Sequence, residues 1–179
     1  MSIEIVFETH ALTEDNEQNI ATGWLPGRLS ARGRDNAVRT GQRRRDDGIS
    51  AVFCSDLRRA AETAQLAFGE TGIPILYDWR LRECDFGERN GTRVAEIARD
   101  REQHIDSPYP GGESLRQAVR RAAGVLADLP SRWAGRRVMV IGHLATYRAL
   151  EHMVNNATVE DLIGTPFVWR AEGWEYLLG

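Results

Sequence analysis

Two short apolar runs in this chain each lead into a histidine. Ile3 to Glu8 passes through Thr9 to His10, and Arg137 to Ile141 passes through Gly142 to His143. Each run has the length and composition of a buried strand, and the segments between them switch repeatedly between strand-like and helix-like patterns. Ser30 can cap a helix from Ala31 to about Asp46, which Gly48 would stop. Ala51 to Cys54 is strand-like, and Ser55 or Asp56 can cap a helix over Leu57 to Phe68 with Ala60, Ala64 and Ala67 along one small-residue face. A short strand follows over Ile73 to Tyr77. Trp79 to Gly91 reads as a structured loop, Val94 to Glu102 as a helix, and Ser107 to Glu113 as a Pro- and Gly-rich turn. Ser114 caps a helix to about Leu129, with Leu115, Val119, Ala122 and Leu126 inward. Ala145 to Val154 is helical, and Phe167 to Leu178 is expected to form an edge hairpin turning near Gly173.

Strands alternating with helices predict an α/β fold, a three-layer sandwich whose mostly parallel central sheet is flanked by helices. With 179 residues, one domain spanning 1–179 is expected. Ligands of such sheets bind beyond the carboxyl ends of the strands. His10 and His143 both stand at such ends, so if their strands are neighbours the two imidazoles share one crevice.

Composition narrows the chemistry. With 27% charged and 42% hydrophobic residues, the chain is an ordinary globular one, and its net charge of −3 gives no general attraction to nucleic acid. The basic run Arg43 to Arg45 is followed by Asp46 and Asp47, as on a solvated helix end. Two cysteines, Cys54 and Cys84, carry no metal or disulfide-framework spacing. The chain opens into Ile3, Ile5, Val6 and Phe7 without a basic stretch ahead of a long apolar one, and no run reaches membrane-spanning length. A cytoplasmic protein is expected, with neither membrane nor nucleic acid as partner.

Four residues beside turns and element ends carry the candidate chemistry: His10, Arg59, Glu83 and His143. Arg59 falls in the first turn of a helix, where a cation opposes the macrodipole unless an anion also binds there. Helix amides and a guanidinium together suit a phosphate.

These residues sit in segments that resemble the histidine phosphatases and cofactor-dependent phosphoglycerate mutases. Thr9 His10 Ala11 through Asn16 is similar to the family's opening motif, and Thr22 Gly23 Trp24 through Gly33 to its substrate loop and first helix. Ser55 Asp56 Leu57 Arg58 Arg59 Ala60 Ala61 Glu62 Thr63 Ala64 resembles its most recognisable motif. Leu81 to Gly87 looks like its acid loop, Pro110 to Ser114 like its Gly-Gly-Glu-Ser turn, and Gly142 His143 through Leu150 like its second histidine. The likeness covers nearly the whole chain in the family's order.

The resemblance implies a metal-independent hydrolase of small-molecule phosphate monoesters that uses no cofactor. His10 would take the phosphoryl group, with its other ring nitrogen held by a backbone carbonyl. Arg59 and His143 would bind the phosphate oxygens, Glu83 would protonate the leaving alkoxide and then activate water, and Asn16, Thr22 and Gly23 would complete the pocket. Two rival readings go with the same likeness. One is a weakly active relative that binds a phosphorylated ligand or a protein partner. The other is a phosphoglycerate mutase, favoured by Thr22 Gly23 Trp24 and opposed by the shortness of the stretch from Gly91 to Pro110, where a mutase would carry its lid.

The chain departs from the family at two positions. Thr9 stands where the family has an arginine directly before the nucleophile, and Ala11 where it has a glycine. A second guanidinium is expected to compensate, with Arg28 the first choice and Arg80, Arg82 and Arg148 next. Trp24, Trp79 and Tyr109 are aromatic candidates for the pocket rim.

Overall fold

A computed structural model describes residues 2–179. Five strands, β1 (Ile3–Thr9), β3 (Ile49–Cys54), β4 (Ile75–Tyr77), β6 (Arg137–Gly142) and β7 (Trp174–Leu178), form one sheet in the order β4-β3-β6-β1-β7. All its pairings are parallel except that of β7, which runs antiparallel to β1. Two short strands, β2 (Ile20–Ala21) and β5 (Thr92–Arg93), pair separately as an antiparallel two-stranded sheet. The helices are α1 (Glu14–Glu17), α2 (Ala31–Arg43), α3 (Arg58–Phe68), α4 (Val94–Asp100), α5 (Leu115–Trp133), α6 (Leu144–Asn155) and α7 (Val159–Gly164).

Strand alternation divides the core into two layers. Ile5 and Phe7 of β1, with Val138 and Val140 of β6, pack on one face with α5 and α6. Val6, Met139 and Ile141 point the other way, against Ala60, Ala64, Ala67 and Phe68 of α3. Apolar side chains on both faces of the central strands give the near-continuous hydrophobic runs seen in the sequence. The expected α/β sandwich is the observed fold.

Local signals hold at several caps. The Ser30 hydroxyl accepts from the Gly33 amide at 3.1 Å to start α2, and Ser114 and Gln117 form a reciprocal capping box at the start of α5. The α3 cap differs from expectation. Leu57 occupies the cap position without a side-chain bond, and Ser55 instead takes the Leu57 amide on its hydroxyl at 3.2 Å. Helix α5 continues past Pro130, since Leu129 is buried and Trp133 packs edge-on to Phe53 with ring centroids 5.6 Å apart.

The expected hairpin over Phe167 to Leu178 is corrected to a single strand, β7, which pairs with the open edge of β1. Residues before Gly173 stay irregular because Phe167 packs with Tyr147 and Trp174, and the carbonyl of Glu172 accepts from the Arg44 guanidinium. Those tertiary contacts replace the cross-strand partners a hairpin would need. Among the described residues no helix is long and apolar enough to cross a membrane.

Candidate active site

Register brings the two histidines together. In the parallel β1–β6 pair Thr9 lies opposite Gly142, and the His10 amide donates to the Gly142 carbonyl at 2.9 Å. His10 and His143, one residue further on, face each other with ring centroids 5.0 Å apart.

Each imidazole is held in one orientation. The His10 Nδ1–H donates to the carbonyl of Ala11 at 2.8 Å, which leaves Nε2 with its lone pair. Arg59 then donates from Nε to His10 Nε2 at 3.3 Å and from a terminal nitrogen to His143 Nδ1 at 3.4 Å. That contact makes Nδ1 of His143 the acceptor, so its Nε2–H donates to the Ser55 hydroxyl at 2.9 Å. Desolvation, then the nearby Arg59 cation, pushes His10 down to about 3, and the same two causes hold His143 well below its ordinary value. Both rings are neutral at pH 7.

Arg59 is 2% exposed. The main chain of the loop after His10 clamps it, with the carbonyls of Gly23 and Leu25 accepting from its terminal nitrogens at 2.8 and 3.1 Å. Burial lowers it to about 10, so it keeps its charge at neutral pH. Gly23 has φ +55°, and an added Cβ would stand 1.8 Å from Oδ1 of Asn90, so only glycine fits there. Thr22 is buried and donates to Asp15 at 2.7 Å. Thr22 and Gly23 therefore shape the seat of Arg59 rather than the cavity wall.

Glu83 sits against the start of α6. Its carboxylate accepts from the amides of Cys84, Leu144 and Ala145 at 2.8, 3.2 and 3.3 Å. Its own carbonyl accepts from the Trp24 indole at 2.6 Å and from Arg121 at 3.0 Å. Arg121 also reaches the carbonyls of Arg80 and Arg82 and pairs with Glu113 at 2.7 Å, so one guanidinium ties the acid loop to the Pro110–Ser114 turn. Trp24 lies under both Arg82 and Arg121, at 4.7 and 5.7 Å to its ring centroid.

A cavity of about 650 Å³ opens over this group, with Thr9, His10, Asn16, Glu83 and His143 in its walls. Asn16 uses its carbonyl oxygen on the Thr13 amide at 3.1 Å, which leaves its amide nitrogen for a ligand. Arg59 lies behind the two imidazoles and is not itself part of the wall.

The arginine candidates fall differently. Arg28 is exposed and outside the cavity walls. Thr13 and Leu29 bridge as isolated β-partners and Leu29 is fully buried, so its extended neighbour Arg28 turns outward. Arg80 is held by Asp78 and Asp128, and Arg82 by Asp56. Arg148 is buried in α6 with no carboxylate partner among the described residues, also away from the cavity wall. Trp79 is exposed, whereas Tyr109 is buried edge-on to Phe86. Sequence reasoning gave Ser55, Thr63 and Arg121 no role in the site. Thr63 accepts from the Ala11 amide at 3.0 Å and so supports the turn that carries His10. Ser55 and Thr63 both lie within the segment around Arg59, whereas Arg121, on the polar side of a long helix, carries no local signal.

The chain is similar to known proteins over nearly its whole length. A 2,3-bisphosphoglycerate-dependent phosphoglycerate mutase of Methylobacterium radiotolerans is 35% identical over 187 aligned positions, covering 93% of this chain and 88% of that one. The enzyme of the same name from Methylocella silvestris is 33% identical, covering 93% and 91%. Among solved structures, one described as mycobacterial hydrolase 1 superposes with a TM-score of 0.82 at 26% identity, covering 96% of this chain and 89% of the other. A mycobacterial glucosyl-3-phosphoglycerate phosphatase in complex with VO3 shares the fold at a TM-score of 0.82 and 24% identity, covering 99% and 92%. The profile that matches here spans residues 5–166, from the strand carrying His10 through the one carrying His143 and every loop between them, and by it this chain belongs to the histidine phosphatase superfamily, branch 1.

Proposed function

We propose that the chain acts as one domain, residues 1–179, in the cytoplasm, and hydrolyses a small-molecule phosphate monoester through a phosphohistidine on His10. The carrying observation is the His10 ring itself: Nδ1–H is committed to the Ala11 carbonyl, and Nε2 stays unprotonated beside Arg59. In the first step Nε2 attacks phosphorus, the ester P–O bond breaks, and Glu83 gives its proton to the departing alkoxide. In the second, Glu83 accepts a proton from water, the water oxygen bonds to phosphorus, and the P–N bond breaks to release phosphate and neutral His10. Arg59 offsets the charge on the transferring group, and His143, whose Nδ1 accepts from that guanidinium, holds it in place, in a loose transition state where positioning and electrostatics supply most of the rate. No step needs a metal ion.

Rapid quenching during turnover of p-nitrophenyl phosphate should trap an acid-labile, base-stable phosphoprotein that His10→Ala abolishes. A hydrolase with no such intermediate, or with full activity in the variant, contradicts the proposal. The names of the curated relatives favour a second reading, a mutase. Interconversion of 3- and 2-phosphoglycerate faster than release of inorganic phosphate would establish it instead.

A further inference from the structure

The cavity extends from His10 along helix α2. Arg32, Asn36, Arg39, Thr40 and Arg43 line it, and their spacing places them on one face of the helix. The opposite wall includes Phe167, Trp169 and Arg170 from the segment before β7. All 23 basic side chains of the chain are arginines, and among the described residues nine of them are ion-paired with carboxylates. Of the four that line the cavity, Arg43 is paired, and Arg32, Arg39 and Arg170 have no carboxylate partner among the described residues.

The cavity offers them none. Its two acidic side chains are Glu8 and Glu83. Glu8 is already saturated, by Thr40 at 3.1 Å and by Arg43 and Arg44 at 2.9 Å. Glu83 is held by the amides of Cys84, Leu144 and Ala145. The first turn of α2 contains no acidic residue, so Arg32 faces the positive end of the helix as well. Three guanidiniums share one concavity, spread about 10 Å along the axis from Arg32 to Arg39, with no countercharge.

We infer that this wall binds a second phosphate group, carried by the leaving group of the substrate, so that the enzyme selects organic bisphosphates over monophosphates. The inference rests on the phosphatase reading of the same cavity. One phosphate sits at His10, and the other lies along α2 against Arg39, with Arg32 and Arg170 to either side. Guanidiniums suit a phosphate because their forked donors match its oxygens in pairs.

Hydrolysis and binding together test it. The wild type should favour fructose 1,6-bisphosphate over fructose 6-phosphate by at least tenfold in kcat/KM. Arg39→Gln and Arg170→Gln should each bring that ratio down several-fold, and raising the salt concentration should do the same. Arg45→Gln, an exposed change in the turn after α2 and outside the cavity, controls for net charge. Calorimetry on His10→Ala, with the same two sugar phosphates as probes, reads the subsite without turnover. If neither ester is hydrolysed yet the bisphosphate binds more tightly in an Arg39-dependent way, the hydrolase reading fails and the subsite stands. Equal affinity for the two probes, or a ratio unmoved by Arg39→Gln and Arg170→Gln, overturns the inference.

Discussion

The Nε–H of Arg59 points at Nε2 of His10 across 3.3 Å, so the buried cation and the unprotonated ring nitrogen are in direct contact. The same guanidinium holds His143 and two backbone carbonyls. A lysine keeps the charge but has a single ammonium in place of the planar fork, and cannot make these contacts together. Arg59→Lys is expected to lower kcat/KM for phosphate ester hydrolysis by about 10²–10³. Phosphate-release kinetics near the wild-type rate would remove Arg59 from the machinery.

Glu83→Gln keeps the shape of the side chain and removes its proton transfer. Turnover should fall by about 10²–10⁴ with an alkyl phosphate, whose alkoxide needs a proton. The loss should be smaller with p-nitrophenyl phosphate, whose leaving group does not. Vanadate affinity should change little. An equal loss on both substrates would point to a positioning role for Glu83.

Stability should depend on pH through the two histidines. Their folded-state pKa values lie below the ordinary 6.5, to about 3 for His10 and well below for His143. As pH falls below about 6.5 the unfolded chain takes up protons that the folded one refuses, so stability is full above that pH and declines below it. Each group adds a slope approaching ~1.4 kcal/mol per pH unit in this window. Urea unfolding at pH 7 and pH 5 should show the loss, and His143→Ala should flatten it. A pH-independent midpoint would mean that the rings protonate freely in the fold.

Arg121 is the fastener of the acid loop, with a nearly buried side chain paired to Glu113 and bonded to three backbone carbonyls. Arg121→Ala leaves these acceptors and Glu113 without their donor, and is expected to destabilise the protein by about 3 kcal/mol. Denaturant unfolding reads that directly. The variant should also lose activity, because Glu83 shares the loop.

Much of this protein is determined by its sequence alone. The runs ending at His10 and His143 carry the strand signal because the middles of β1 and β6 are buried on both faces, so Ile5 to Phe7 and Val138 to Ile141 are all under an apolar demand. Ser30 and Ser114 mark their helices because a cap is a contact between residues three apart. The segments around His10, Arg59, Glu83 and His143 could be recognised for a similar reason, each being a local turn with its own residue requirements.

Tertiary structure decided what depends on distant partners. That Phe167 to Leu178 yields one strand and an irregular approach follows from the free edge of β1 and the contacts of Phe167 and Glu172, which local pattern does not encode. The outward turn of Arg28 follows from the burial of Leu29. The basic wall is visible as a helical stripe only once the face of α2 that meets the cavity is known. Which arginines remain unpaired depends on carboxylates far away in the chain, and ion pairing, unlike capping, has no fixed sequence spacing.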